Sequence, residues 1–145
     1  MFSGVDTLVT NEKVGFDFIM EKVCITTVDT KDCFNHFYFN PFADPNLHYD
    51  IGVPLGHIIK MGNINLDSLK VAPPDSIFNR YPARDSIPAD SILTRIGHSY
   101  FIKTGFDWRY DSKFIAKIRI LGLKVLDSSK RRVEMRFLWY FSPVG

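Results

Sequence analysis

The stretch that decides the fold is FIAKIRILGLKVL at residues 114–126, followed after a short charged turn by VEMRFLWYF at residues 133–141. Apolar and polar side chains alternate with a period of two in both stretches. The predicted inward positions are Phe114, Ala116, Ile118 and Ile120 in the first, and Val133, Met135, Phe137, Trp139 and Phe141 in the second. Alternation over this length is typical of half-buried strands and not of helices. The sequence therefore predicts a long antiparallel hairpin with one face in the core.

Three further segments have strand-like patterns, at residues 5–10, 33–40 and 97–104. In the second of them Phe37 and Phe39 are the predicted inward residues. Residues 41–91 differ, because they hold all but one of the eight prolines and no long alternating run. This middle segment is predicted to be irregular, with one or two short strands and a helical turn near residues 66–69. The predicted fold is all-β, an antiparallel sandwich of about seven to nine strands with a compact barrel as the alternative.

The overall composition indicates one folded domain over residues 1–145. Hydrophobic residues make up 46% of the chain and charged residues 23%, which is ordinary for a globular protein. The formal charge of +2 argues against a nucleic-acid partner that binds through many phosphates. No run approaches the length of a transmembrane helix. Residues 142–145 (SPVG) read like the start of a linker, as expected if the domain is part of a longer surface protein.

Two cysteines, Cys24 and Cys33, are nine positions apart. On neighbouring strands they would be close enough for a disulfide, which would suit an exported protein. The alternative is a pair of buried free thiols, since free cysteine packs as a small hydrophobe. The sequence leaves both interpretations open. It contains no CxxC, so neither a redox motif nor a zinc motif is predicted.

The segment whose pattern most strongly indicates a ligand-binding site is GFDWRYDSK at residues 105–113. Three rings alternate with charged residues there, and an extended loop would present the rings on one side and the two aspartates on the other. Rings stack on the apolar faces of sugars, and carboxylate and guanidinium groups bond hydroxyls, a mixture that ligand sites use. The predicted ligand-binding residues are Phe106, Asp107, Trp108, Arg109 and Tyr110. The competing interpretation makes the segment an ordinary strand with its rings in the core.

Evidence for catalysis or for a cofactor is weak. The four histidines, His36, His48, His57 and His98, share no ligand spacing, so neither metal nor haem is predicted. No GxSxG, phosphate-binding glycine loop or catalytic cysteine context is present. We therefore expect no catalytic residues.

The predicted function is an exported binding or structural module, with carbohydrate or another surface protein as partner. Alternatives are a hydrolase of polysaccharide or peptide, and a haem-binding protein. Strand pairing between copies makes an oligomer conceivable.

Several segments together resemble uncharacterised bacterial secreted or surface β-proteins: Gly15 to Phe18 (GFDF), residues 33–42, Tyr100 to Thr104 (YFIKT) and Ile115 to Ile120 (IAKIRI). The resemblance implies a β-rich protein at the bacterial surface or outside the cell. A fainter resemblance to HmuY-like bacterial haemophores rests on the Tyr100–Thr104 segment and the strand after it. The histidine pair that holds haem in those proteins has no counterpart here in sequence context, so no ligand is carried over. Residues 105–113 are longer and more aromatic than the turn of the resembled proteins.

Overall fold

The structure, a computed structural model, describes residues 2–25, 28–41, 50–53, 56–69, 82–83, 95–130 and 132–143. Nearly all regular structure in these ranges is β. The strands are β1 (Phe2–Thr10), β2 (Val14–Asp17), β3 (Lys22–Cys24), β4 (Phe37–Asn40), β5 (Asp50–Gly52), β6 (Gly56–Gly62), β7 (Pro82–Ala83), β8 (Ser99–Lys103), β9 (Phe114–Asp127) and β10 (Arg132–Pro143). A single 3-10 turn at Leu66–Ser68 confirms the helical turn predicted in this region.

The strands form two antiparallel sheets. The first has six strands in the order β1-β10-β9-β8-β6-β7, and the second has four in the order β3-β2-β4-β5. The two sheets do not close into a barrel, so the sandwich was the correct prediction and the barrel alternative was wrong. The hairpin of β9 and β10 is the centre of the first sheet, with β8 and β1 on its two sides. Of the proline-containing middle, the described residues supply β5, β6, β7 and the 3-10 turn.

The core lies between the two sheets and is largely aromatic. Every residue predicted to face inward from the hairpin is buried, and so are Phe37 and Phe39. Rings from both sheets meet directly: Phe16 and Phe137 pack edge to face with their centroids 5.2 Å apart, and Phe18 stacks on Phe141 at 5.1 Å. Contacts of this kind add about 0.5–1.5 kcal/mol each to what burial alone contributes. The two sheets are therefore joined through most of their length by apolar packing.

The strand predicted over residues 33–40 begins only at Phe37. Ahead of it, the backbone amides of Phe34 and Asn35 donate to side chains and not to a neighbouring strand. The amide of Phe34 donates to Asp17 Oδ2 at 2.9 Å, and the amide of Asn35 donates to Asp29 Oδ1 at 2.9 Å. Side-chain oxygens that satisfy backbone amides compete with sheet formation. Alternation in the sequence therefore continued into a segment whose amides are held by aspartates.

Candidate functional site

Residues 105–113, the segment between β8 and β9, form a tight turn that we call the aromatic turn. Asp107 and Ser112 make an isolated antiparallel bridge, in which the Asp107 amide donates to the Ser112 carbonyl at 2.8 Å. The Asp107 side chain closes the turn from within, since its Oδ1 accepts the Arg109 amide at 3.0 Å. Aspartate is favoured in turns because its short side chain reaches a backbone amide two residues on. Asp111 has a φ of 52°, as left-handed turn positions require.

The side chains of the aromatic turn separate into an outer and an inner set. Phe106, Trp108 and Tyr110 point outward with exposed fractions of 50%, 54% and 49%. Asp107 is completely buried, and the Arg109 side chain is almost so. The predicted separation of rings from charges is thus present, but it arises from a turn and not from the extended loop that the sequence suggested. Of the two aspartates, only Asp107 belongs to the inner set, because Asp111 is exposed.

Arg109 holds two buried carboxylates at once. Its Nη1 donates to Asp17 Oδ2 at 2.9 Å, and its Nη2 and Nε donate to the two oxygens of Asp107 at 2.8 and 3.0 Å. Planar forks of this kind are the strongest hydrogen-bonded ion pairs that proteins make. Asp17 ends β2 in the four-stranded sheet, whereas Asp107 and Arg109 follow β8 in the six-stranded sheet. The ion pair therefore connects the two sheets at one end of the sandwich.

His36 completes this group, which we call the inter-sheet cluster: Asp17, His36, Asp107 and Arg109. The amide of Phe18 donates to His36 Nδ1 at 3.0 Å, so Nδ1 carries no proton in this arrangement. Nε2–H then donates to Asp107 Oδ2 at 3.0 Å. The ring also packs against Phe18 and Phe141, with centroids 5.8 and 5.1 Å away. Both ring nitrogens are therefore engaged, and the ring is fixed in one orientation.

The electrostatics of the cluster favour its charged state. Burial alone would raise the pKa of the Asp107 carboxyl, but hydrogen bonds from His36 and Arg109 outweigh burial and hold that pKa well below its usual range. Burial alone would lower the pKa of the Arg109 guanidinium, but its bonds to Asp107 and Asp17 raise it. The charge left over from two carboxylates and one guanidinium is stabilised by backbone amides, since Asp17 accepts those of Ile19, Met20 and Phe34.

The cluster has the properties of a support and not of a reaction centre. The side chains of Asp17, His36 and Asp107 have no solvent exposure, and their hydrogen-bonding atoms are occupied by one another, by Arg109 and by backbone amides. A substrate would have to break these bonds to reach any of them. Removing one member would leave a buried charge without its partner, which is among the costliest changes a fold can suffer. The inter-sheet cluster therefore fixes the inner side chains of the aromatic turn and, through them, the outward direction of its rings.

A disulfide restrains the segment that the Arg109 side chain contacts. Cys24 and Cys33 are bonded, with their Cα atoms 5.8 Å apart, so of the two interpretations left open by the sequence the structure contains the bridge. Between them, Lys31 offers its backbone carbonyl to Arg109 Nη1 at 3.3 Å. The Arg109 guanidinium also lies over the Phe34 ring, 5.5 Å from its centroid. The bridged segment and the aromatic turn thus share one contact surface.

A second pair of carboxyl groups lies where β1 meets the turn between β2 and β3. Glu21 and Asp6 share a hydrogen bond, and the charge of Asp6, followed by burial, raises the pKa of the Glu21 carboxyl. Asp6 Oδ2 also accepts the indole N–H of Trp139 at 2.7 Å. Glu21 has a left-handed backbone, with a φ of 52°. The Glu21 carboxyl therefore holds a proton more readily than an ordinary surface glutamate.

Within the described ranges, no group of three or more histidine, cysteine, aspartate or glutamate side chains is placed to hold a metal ion. His36 is occupied as described above. His57 lies on β6 and His98 precedes β8, and both are partly buried. Burial, followed by the charges of Lys60, Arg95 and Arg119, lowers the pKa of His98. His48 lies outside the described residues.

Two members of the inter-sheet cluster, Asp17 and His36, were not predicted as a site. The feature of the sequence that could have indicated this cluster is Asp17 itself. It is a single charged residue between Phe16 and Phe18, at the end of a strand that is buried on both faces. A charged residue in such a position needs a partner. The sequence could not name that partner, since His36 and Arg109 are 19 and 92 positions away.

Comparison of the chain with protein-family models, with curated proteins and with solved structures found no match. The resemblance to bacterial surface β-proteins therefore stays a prediction. In the part of the chain that the structure describes, no helix is long and apolar enough to cross a membrane.

Proposed function

We propose that this protein is an exported binding module without catalysis of its own, and that the rings of Phe106, Trp108 and Tyr110 contact a carbohydrate. The observation that carries this proposal is the division of the aromatic turn. Three consecutive alternate side chains are rings about half exposed to solvent, while the two residues between them are buried in the inter-sheet cluster. Large aromatic side chains in solvent cost solubility, and their clustering on one turn is typical of a contact surface.

The chemistry of the turn suits a sugar. Aromatic rings offer flat apolar faces to the C–H groups of a pyranose, and the turn also presents polar groups that bond hydroxyls, namely Asp111, Ser112 and Lys113. None of the three rings packs on another of the three; the Tyr110 ring instead lies 6.3 Å from Phe114 and 5.2 Å from the Arg109 guanidinium. The rings are therefore available separately for contact with sugar units.

Rigidity supports the same conclusion. A binding loop that is ordered before its ligand arrives loses less conformational freedom on binding, and affinity rises accordingly. In the aromatic turn, the bridge between Asp107 and Ser112 fixes the backbone and Arg109 fixes the inner side. A turn held this firmly presents its rings in one arrangement.

Absence of catalysis is supported by the burial of the inter-sheet cluster, whose acidic and basic groups are committed to one another. Export is supported by the bond between Cys24 and Cys33, because disulfides persist mainly in oxidising surroundings outside the cytosol. Both statements belong to the proposal and are open to test.

The test compares two exposed apolar residues on different turns of the same sheet. Trp108→Ala removes the central ring of the aromatic turn, whereas Leu126→Ala removes a side chain of similar exposure, 42%, next to the β9–β10 turn. Binding of the purified protein to arrayed glycans is measured first, and affinity for the best ligand is then measured by calorimetry. We expect Trp108→Ala to weaken binding about 30-fold or more, as loss of a central aromatic contact does.

Leu126→Ala should bind as the wild type does, and both variants should unfold within about 0.5 kcal/mol of it because the truncated side chains are exposed. Unchanged affinity in Trp108→Ala would remove the aromatic turn as the site. A wild-type protein that binds no arrayed glycan would overturn the carbohydrate proposal and direct the search to a protein ligand.

A further inference from the structure

The edges of the two sheets differ in length. The four-stranded sheet ends at β3 and β5, each of three residues, and the six-stranded sheet ends at β7, of two residues. Its other edge is β1, with nine residues. Short edge strands are a common defence against pairing with another chain, since they offer few unpaired amides and carbonyls. Among the strands that the structure describes, β1 alone is a long edge.

The composition of β1 also lacks the usual defences. Its sequence, FSGVDTLVT, contains no lysine, arginine or proline. Its one charged side chain, Asp6, accepts the indole N–H of Trp139 and contacts Glu21 in the turn between β2 and β3. Asp6 therefore lies on the face of β1 that is turned toward the four-stranded sheet. The alternate side chains on the opposite face are exposed: Ser3, Val5, Thr7 and Val9. Nine consecutive residue pairs with β10 keep the strand straight and regular.

We propose that the edge of β1 pairs antiparallel with β1 of a second copy of this chain, around a twofold axis through Thr7. This register places Val5 of each copy opposite Val9 of the other and Thr7 opposite its own counterpart. Cross-strand pairs of β-branched side chains stabilise antiparallel sheets. The pairing joins the two six-stranded sheets into one continuous sheet, with the same surface used on both copies.

The charge of Asp6 selects this register. An axis shifted by one residue, through Asp6, would put the two Asp6 carboxylates opposite each other, and like charges in that position are destabilising. With the axis through Thr7, Asp6 lies opposite Leu8. The strand is therefore more complementary to itself in one register than in the next, which is why a second copy suits this edge. The contact is small, so we expect a dissociation constant in the micromolar range or weaker.

Two double variants test both the dimer and its register. Val5→Lys with Val9→Lys places like charges opposite each other twice across the axis, whereas Val5→Glu with Val9→Lys places opposite charges there. Both variants carry the same change at Val9, whose neighbour within the chain is Glu134, so that internal contact is matched. Val5 and Val9 are 54% and 39% exposed, and the monomer should tolerate both pairs of substitutions.

Sedimentation equilibrium at neutral pH, from about 5 to about 500 µM protein, gives the dissociation constants. We expect the wild type to form dimers, the lysine pair to weaken association about tenfold or more, and the glutamate–lysine pair to associate at least ten times more tightly than the lysine pair. Near-ultraviolet circular dichroism, which reports the packing of Trp139, checks that both variants are folded.

A wild-type protein that stays monomeric over the whole range would overturn the proposal and leave the β1 edge to a strand of another protein. Equal association of the two double variants would also overturn it, because a dimer built on another surface does not respond to the pairing of these charges. This inference does not depend on the proposed carbohydrate site, since Val5 and Val9 are not part of the aromatic turn.

Discussion

The aromatic turn, at residues 105–113, and the turn after β9, described at residues 127–130, start from the same local structure. In each, an aspartate accepts the backbone amide two residues on: Asp107 Oδ1 from Arg109, and Asp127 Oδ1 from Ser129, both at 3.0 Å. Both turns reverse the chain between long strands of the six-stranded sheet. At both positions, therefore, the aspartate side chain stabilises the turn by accepting a backbone amide.

The two aspartates differ in what else they contact. Asp107 is buried, and His36, which directly precedes β4 of the four-stranded sheet, donates to it across the sandwich. In the described part of the chain, the Asp127 side chain bonds within its own turn, where the Ser129 hydroxyl and then the Lys130 amide lower its pKa. A local turn is thus enough to reverse the chain. The additional inter-sheet contacts at Asp107 fix the direction in which the aromatic turn presents its outer side chains. A binding surface needs side chains in a fixed direction, whereas a hairpin that only reverses the chain does not.

The largest effect is expected from Arg109→Met, which keeps the length of the side chain and removes its charge. Asp17 and Asp107 would then be buried carboxylates without their cation, and breaking a buried ion pair on one side costs about 3–5 kcal/mol. We expect the free energy of unfolding, measured in urea, to fall by that amount. The rings of the aromatic turn should become mobile at the same time, seen as weaker circular dichroism of the aromatic residues.

The matched control is Arg132→Met at the other turn, where the arginine is exposed and acts on Asp127 only through its charge. Its effect should stay within about 0.5 kcal/mol, as is usual for an exposed charge. Equal losses in the two variants would show that the inter-sheet cluster contributes no more than a surface arginine, and the contrast between the turns would disappear.

The fold was largely predictable because period-two alternation records burial on one side of a strand. The inward residues of β9 and β10 and the inward Phe37 and Phe39 were all identified in this way. Alternation failed at residues 34 and 35, where the pattern continued but aspartate side chains accept the two backbone amides. Local pattern does not contain the information that an aspartate 17 positions away takes one of those amides.

The candidate site was predictable in part for the same reason. Alternation in residues 105–113 separated rings from charged groups, but it could not say which set faces the protein. That choice depends on Asp17 and His36, which the chain brings to Arg109 and Asp107 only after both sheets have formed. The sequence supplies the members of such a cluster one at a time, and the three-dimensional fold alone decides which of them meet.

The next effect concerns the disulfide, which links Cys24 at the end of β3 to Cys33 and so restrains the segment that Arg109 contacts. Cys24→Ala with Cys33→Ala should lower the free energy of unfolding by about 2–3 kcal/mol, as expected for opening a loop of this length. Amide hydrogen exchange should accelerate in residues 105–113, because the Lys31 carbonyl that Arg109 contacts is no longer held. Exchange in residues 127–130 should not change; acceleration in both turns alike would mean that the disulfide acts on the whole domain and not on one end of it.

The smallest effect concerns the ionisation of Asp107, whose contribution to stability is present at neutral pH and lost only in acid. Its pKa in the folded protein lies below the ordinary value of 3.8, so the folded state binds this proton less readily than the unfolded state does. The resulting stability is complete above that ordinary value and is lost as the pH falls through the folded-state pKa. We expect unfolding free energies measured from pH 7 to pH 2 to decline most steeply below about pH 4.

Asp107→Asn removes the titrating group, so the decline below about pH 4 should become shallower even though the variant starts from a lower stability at neutral pH. Asp127→Asn is the control at the other turn, and it should leave the slope closer to that of the wild type, because Asp127 is partly exposed and its partners are a hydroxyl and two backbone amides of its own turn. If the curves of all three proteins were parallel, the carboxylate of Asp107 would not be coupled to folding. A shallower slope in Asp107→Asn alone would instead locate the acid sensitivity of the fold at the end of the sandwich that carries the three exposed rings, so that low pH would loosen the aromatic turn before it affects the plain hairpin.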